Sequence, residues 1–174
     1  MNSSLIKPRL PLSGAYLFFS VLLTILQVLI NLWYIALFLN DDFSIAGVYS
    51  HSEKSLPWYY KISASWSSDE GVFLLFTTFL TITTLIYSKK FYETPIENTS
   101  EDVVEKPERK RHLFFSLLFL YAILLLLLLA NISQNPFGNK EDLTTGEVPV
   151  DGLGLHPTLQ HPLMIFHPPL TFLS

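Results

Sequence analysis

Cysteine is absent from the 174 residues, which excludes disulfides, thiolate metal centres and cysteine nucleophiles together. Charge is scarce as well. Asp, Glu, Lys and Arg make up 15% of the chain, against about 25% in an average soluble domain. The shortage is uneven: none of these four types occurs between Leu10 and Asn40, between Gly71 and Ser88, or between Leu113 and Asn139. The net charge of −4 is mild, and no basic stripe of the kind that tracks a phosphate backbone is present, so a nucleic-acid partner is not expected. No small-residue cleavage pattern follows the first apolar stretch, which also exceeds the roughly 7–15 residues of a signal-peptide core. It reads as a retained anchor.

What fills the chain instead is apolar, at 49% hydrophobic residues and a mean hydropathy of +0.36. Crossing the hydrocarbon core takes roughly 20 apolar residues at about 1.5 Å each. The pattern predicts an all-α integral membrane protein with at least three transmembrane helices, at 13–39, 71–88 and 113–132. A polar lead (1–12) precedes them. An aromatic-rich loop (40–70), a charged connector (89–112) and a second loop (133–162) join and follow them. Residues 163–174 read as the start of an incomplete fourth membrane segment. Gln27 and Asn31, four apart on one helical face, are expected to hydrogen-bond between helices rather than to bind a ligand. The first loop holds Phe43, Tyr49, Trp58, Tyr59, Tyr60 and Trp66, and amphipathic rings favour the headgroup region. Within it, Trp58–Trp66 is a candidate for a short interfacial helix after Pro57. The connector carries six basic and six acidic residues, with Pro95 and Pro107 and no apolar period. It reads as a disordered tether.

Orientation follows from the basic residues. Lys7, Arg9 and the six in the connector lie on one side; Lys54, Lys61 and Lys140 lie on the other. The positive-inside rule puts the N-terminus and residues 89–112 on the cytoplasmic or matrix side. Both loops then face outward, where they can form one surface.

Of five histidines, His112 follows Arg111 at the head of a span and reads as interfacial filler. His156, His161 and His167 lie in an uncharged stretch with Pro157, Pro162, Pro168 and Pro169. Three readings stand side by side. They are structural interface residues, or ligands of a metal such as zinc or copper, or they include an imidazole ligand of haem iron. The metal reading lacks a completing carboxylate or cysteine, and the spacings of five and six do not share a helical face. Pro168-Pro169 after His167 would stiffen the backbone beneath that imidazole.

Phe166-His167-Pro168-Pro169-Leu170 resembles the HPPL segment of the cytochrome c assembly family. Two longer stretches resemble the CcmF-type haem lyases of that family, a group that includes NrfE- and CcsA-related proteins. One runs from Asn135-Pro136-Phe137 through Asp151-Gly152-Leu153-Gly154-Leu155-His156-Pro157 to Pro169. The other contains Asp42-Phe43-Ser44-Ile45, Leu56-Pro57-Trp58-Tyr59-Tyr60-Lys61, Trp66 and Glu70-Gly71. The resemblance is to the N-terminal portion of such a lyase. It implies cytochrome c biogenesis: receipt of haem, b-type in transit, from a CcmE-like carrier, and help in attaching it to apocytochrome c. It further implies a CcmH-like apocytochrome-presenting partner, the remaining CcmF portion and the bilayer itself, in a prokaryotic plasma membrane or a mitochondrial inner membrane.

Carried over, the family's haem-ligating histidine is His167. Trp58 and Trp66 become a membrane-surface support, and Glu70 a polar contact at the head of a span. The catalytic residues stay unassigned. Some positions depart from the family: His156 stands where it usually has Asn, Asp69 where a His often precedes the Glu, and Thr171-Phe172-Leu173-Ser174 replaces an aromatic-x-Gly continuation. The tryptophan-rich WWD motif and a second ligating histidine are not found in these 174 residues. The expectation is therefore a fragment, or one piece of a split lyase, inactive in thioether formation by itself. The rival expectation is a membrane scaffold or transporter-like subunit without haem chemistry.

Overall fold

The computed structural model describes residues 11–94, 106–139 and 147–171. Most of the lead, the middle of the connector, residues 140–146 and residues 172–174 lie outside the described residues. The fold is all-α. Helix α1 is Pro11–Leu39, α2 Ala46–His51, α3 Trp58–Ala64, α4 Asp69–Glu93, α5 Lys106–Gln134 and α6 His167–Thr171. Two 3-10 turns, Pro157–Leu159 and Pro162–Ile165, precede α6. Helices α1, α4 and α5 are each long and apolar enough to cross a membrane.

Two boundaries differ most from the sequence reading; the other ends of the three long helices fall within about two residues of it. Helix α4 continues to Glu93 and α5 begins at Lys106, so both ends of the connector are helical. The physical reason is local. Pro107 sits in the first turn of α5, where a missing N–H costs nothing. Charged pairs one turn apart, Lys89 with Glu93 and Arg111 with Glu108, also face each other across the helix surface. In the segment read as a fourth membrane entrance, residues up to Thr171 form a 3-10 turn and the five-residue α6.

The chain divides into two compact units, Met1–Leu26 with Leu80–Leu125, and Gln27–Phe79 with Leu126–Ser174. In the first, small polar side chains face inward. Ser20 Oγ lies 2.6 Å from Ser88 Oγ, the Tyr121 hydroxyl donates to the Tyr16 carbonyl at 3.1 Å, and Thr24 donates to the Thr81 carbonyl at 3.1 Å. The Tyr16 ring packs on Phe91, Phe114 and Tyr121. Ser88 is fully buried while Phe119 is 66% exposed. That inversion is the signature of helices solvated by lipid: without a hydrophobic drive between helices, close contact is made by small residues and interhelical hydrogen bonds.

The second unit repeats the pattern at one end and builds an apolar core at the other. Gln27 donates to the Leu74 carbonyl and Asn31 to Thr78 Oγ1, each at 3.3 Å. Both therefore tie α1 to α4, the interhelical role expected of them. Asn131 donates to Thr77 Oγ1 at 2.7 Å. Beyond these helix ends, Tyr34, Phe38, Phe43, Val48, Leu56, Ala64 and Leu155 form a buried cluster. A core of this kind, made largely by loop residues, is what allows the loops to hold one shape.

Candidate functional site

The site is built on the turn that ends α1. Asp41 adopts a left-handed backbone (φ 55°), and its carboxylate receives Lys61 Nζ at 2.6 Å. Lys61 is nearly buried, so this pair pins α3 to the end of α1. Helix α3 starts directly after Pro57, whose fixed φ suits a helix start. At its far end, a Cβ on Gly71 would collide with the Ser65 carbonyl oxygen. Only glycine lets the start of α4 approach so closely. Asp69 and Glu70 occupy the first turn of α4, where the helix dipole favours negative charge.

The second loop closes onto the first. Asp151 Oδ1 accepts the Lys54 N–H at 2.9 Å and the Gly152 N–H at 2.8 Å, and these two bonds hold its carboxyl below the usual carboxylate value of 3.8. Leu153 N–H then donates to the Tyr49 carbonyl at 2.8 Å, and Gly154 N–H to the Ser52 carbonyl at 3.0 Å. The last carbonyls of a helix have no partner within it, so the second loop supplies donors at the end of α2. Gly154 takes a left-handed φ of 84° to do this. Leu155 enters the buried cluster, and near the end of α5 the Ala46 N–H donates to the Gly138 carbonyl at 2.8 Å. The two loops are thus one bonded surface.

Past Leu155 no residue of the two 3-10 turns or of α6 is buried. Leu159 packs against the buried cluster, and hydrogen bonds hold the stretch further on. Tyr60 donates its hydroxyl to the Gln160 carbonyl at 3.2 Å, and the Trp66 indole N–H donates to the Met164 carbonyl at 3.3 Å. Trp66, Ser63, Ser67, Leu159, Met164 and Pro168 line a cleft of about 160 Å³.

The three clustered histidines behave differently from one another. His156 Nδ1 accepts the Thr158 N–H at 3.3 Å, and His161 Nδ1 accepts the Leu163 N–H at 3.2 Å. Each ring caps a 3-10 turn. A neutral imidazole has one lone-pair nitrogen and one N–H, so neither of these rings has a second lone pair for iron or zinc. His167 is exposed, and its ring has no hydrogen-bond partner among the described residues. His51 donates Nδ1–H to the Gly47 carbonyl at 3.1 Å, and His112 sits exposed near the start of α5. Trp66 and the HPP segment are brought together. Trp58 is not part of that contact; it stands 67% exposed with its edge on Tyr59.

Comparison with known proteins adds a decisive observation. The chain is 34% identical over 140 residues to the cytochrome c-type biogenesis protein CcmF of Pseudomonas aeruginosa, a match covering 79% of this chain and 18% of that one. It is 29% identical over 140 residues to CcmF of Escherichia coli, with the same coverage. It is 26% identical over 184 residues to the cytochrome c-type biogenesis protein CycK of Bradyrhizobium diazoefficiens, covering 100% of this chain and 25% of that relative. The chain is a CcmF relative. It spans about a fifth to a quarter of the length of these proteins. No family model matches it, and no solved structure does.

Several residues that organise this CcmF-like surface escaped the sequence reading. The Asp41–Lys61 pair, the two histidine caps and the Trp66–Met164 bond all join positions whose partner is set by folding. Lys61, Trp66 and His156 were visible beforehand as members of the resembling stretches, but their partners were not. Glu70, read as a polar contact, lies half-buried in the first turn of α4.

Proposed function

We propose that this chain is a membrane portion of a cytochrome c maturation lyase that holds haem at the outer membrane face. His167 provides one axial imidazole. Haem is cargo in this reading: it arrives from a CcmE-like carrier and leaves attached to apocytochrome c presented by a CcmH-like partner. The N-terminus and the connector face the cytoplasm or matrix, in a prokaryotic plasma membrane or a mitochondrial inner membrane. The observation that carries the reading is the His167 ring, without a hydrogen-bond partner among the described residues, beside two histidines whose lone pairs are already used, on a surface made by the two loops whose motifs resemble the CcmF type.

The residues present fit one side of the group. The exposed Leu163, Phe166 and Leu170 near His167 suit a porphyrin face, and an unbonded imidazole suits iron. The cleft of about 160 Å³ beside Trp66 is well below the roughly 300 Å³ at which ligand pockets begin, so it does not enclose a porphyrin. A six-coordinate haem needs a second ligand and a wall, which the rest of a CcmF would supply. Trp58, exposed next to Tyr59, serves as a membrane-surface support rather than as a haem contact.

The test is co-expression with haem export and a partner carrying the tryptophan-rich half. The purified complex should show a Soret band that weakens in His167→Ala and persists in His112→Ala. Equal spectra in both variants would favour the scaffold reading.

A further inference from the structure

We infer that Trp66 is a positioning residue for His167, acting through the carbonyl of Met164. The inference rests on His167 being the haem ligand, and it assigns the task of aiming that imidazole to a side chain of the other loop.

Four observations lead to it. First, nothing from Pro157 to Thr171 is buried; Leu159 packs against the core, which anchors the start of the stretch and leaves the HPP segment eight residues on to be placed by other contacts. Second, two side chains of the first loop reach it, Tyr60 at Gln160 and Trp66 at Met164, and the Trp66 bond is the nearer to His167. Third, few soft torsions separate Met164 from the imidazole. Leu163 to Phe166 closes a 3-10 turn with Phe166 N–H donating to the Leu163 carbonyl at 3.1 Å. Pro168 fixes its own φ and narrows the backbone of His167 before it. Pro168 also lines the cleft that the Trp66 ring borders. Fourth, Trp66 is itself held. Gly71 brings the start of α4 against Ser65 and Trp66, where an added Cβ would lie 3.0 Å from the Trp66 Cα. A rigid donor therefore grips a rigid turn, and the turn carries an imidazole with no other partner among the described residues.

The bond can be removed without removing the ring. Replacing Trp66 by 3-benzothienylalanine exchanges the indole N–H for sulfur and leaves the cleft filled. The full chain in lipid nanodiscs is titrated with zinc protoporphyrin, which accepts a single axial imidazole and so needs no second protein ligand. The unsubstituted chain should red-shift the porphyrin Soret band, and His167→Ala should abolish that shift. The Trp66 analogue should keep the shifted band position but bind about three- to tenfold more weakly, the loss of one net hydrogen bond. The same analogue at exposed Trp58 should bind as the parent does. A His167-dependent shift whose affinity is indifferent to the Trp66 analogue overturns the positioning role and leaves the ligand reading intact. A shift that survives in His167→Ala, or no shift at all, overturns the ligand reading and the positioning role with it.

Discussion

Lys61 and Asp41 form an ion pair with Nζ 2.6 Å from the carboxylate, and the lysine side chain is only 9% exposed. Removing the lysine leaves Asp41, itself 23% exposed, without its partner, so the cost falls below the about 3–5 kcal/mol of a fully buried pair. Lys61→Met should therefore destabilise the unit formed by Gln27–Phe79 and Leu126–Ser174, whereas Lys61→Met combined with Asp41→Asn should recover most of the loss. Unfolding of the purified chain in mixed micelles measures both. Equal stability of the single and double variants would show the pair to be solvated.

Gly152 lies where any side chain would strike the second loop's own docking partner. An added Cβ would overlap the Ser52 carbonyl oxygen and come within 2.9 Å of both the Tyr49 carbonyl oxygen and the Phe43 ring. Gly152→Ala should lift the second loop off α2. Amide exchange at Leu153 and Gly154 is the direct readout, and it should accelerate at least about tenfold, corresponding to roughly 1.4 kcal/mol or more of lost protection. Unchanged exchange at these amides would refute the steric argument.

Asp151 adds a pH dependence to the same docking. Its folded-state pKa lies below the usual 3.8 because two backbone N–H groups donate to the carboxylate. A depressed carboxyl pKa means that the undocked form takes up the proton first. Its stabilising contribution is thus complete above about pH 4 and is lost as pH falls through the lower folded value. After correction for intrinsic rates, exchange at the Lys54 and Gly152 amides should speed up below pH 4 in the parent. Asp151→Asn, which keeps an acceptor oxygen but does not titrate, should flatten that profile.

Asn131 presents the opposite case, a buried polar residue that is only half satisfied. Its amide nitrogen donates to Thr77 Oγ1 at 2.7 Å and to the Leu127 carbonyl at 2.8 Å, while its buried Oδ1 has no partner among the described residues. Leucine would forfeit the bond to Thr77 but would also remove an unpaired oxygen, and these terms are of similar size. Thr77 keeps its own bond to the Phe73 carbonyl. Asn131→Leu should leave the unfolding free energy within about 1 kcal/mol of the parent. A loss of 3 kcal/mol or more (about the cost of breaking a buried pair) would mean that the oxygen has a partner in the membrane-embedded protein.

The three long helices were legible because the signal for crossing a bilayer is one-dimensional. Length and uninterrupted apolarity suffice, and both can be counted along the chain. Gln27 and Asn31 were legible for the same reason: a polar amide in an apolar helix has to find a helix partner, whichever residue that proves to be. Order in the loops is another matter. Lys61 looks like one more outward charge until Asp41 turns left-handed beneath it, and His156, His161 and His167 are indistinguishable as letters. Folding separates them, because a backbone N–H two residues ahead occupies the first two rings and leaves the third without a partner among the described residues. The choice of which imidazole is free, and which tryptophan touches its segment, depends on contacts across about a hundred residues of chain. Such contacts form only when two loops meet over a shared core, so no periodicity or local motif records them.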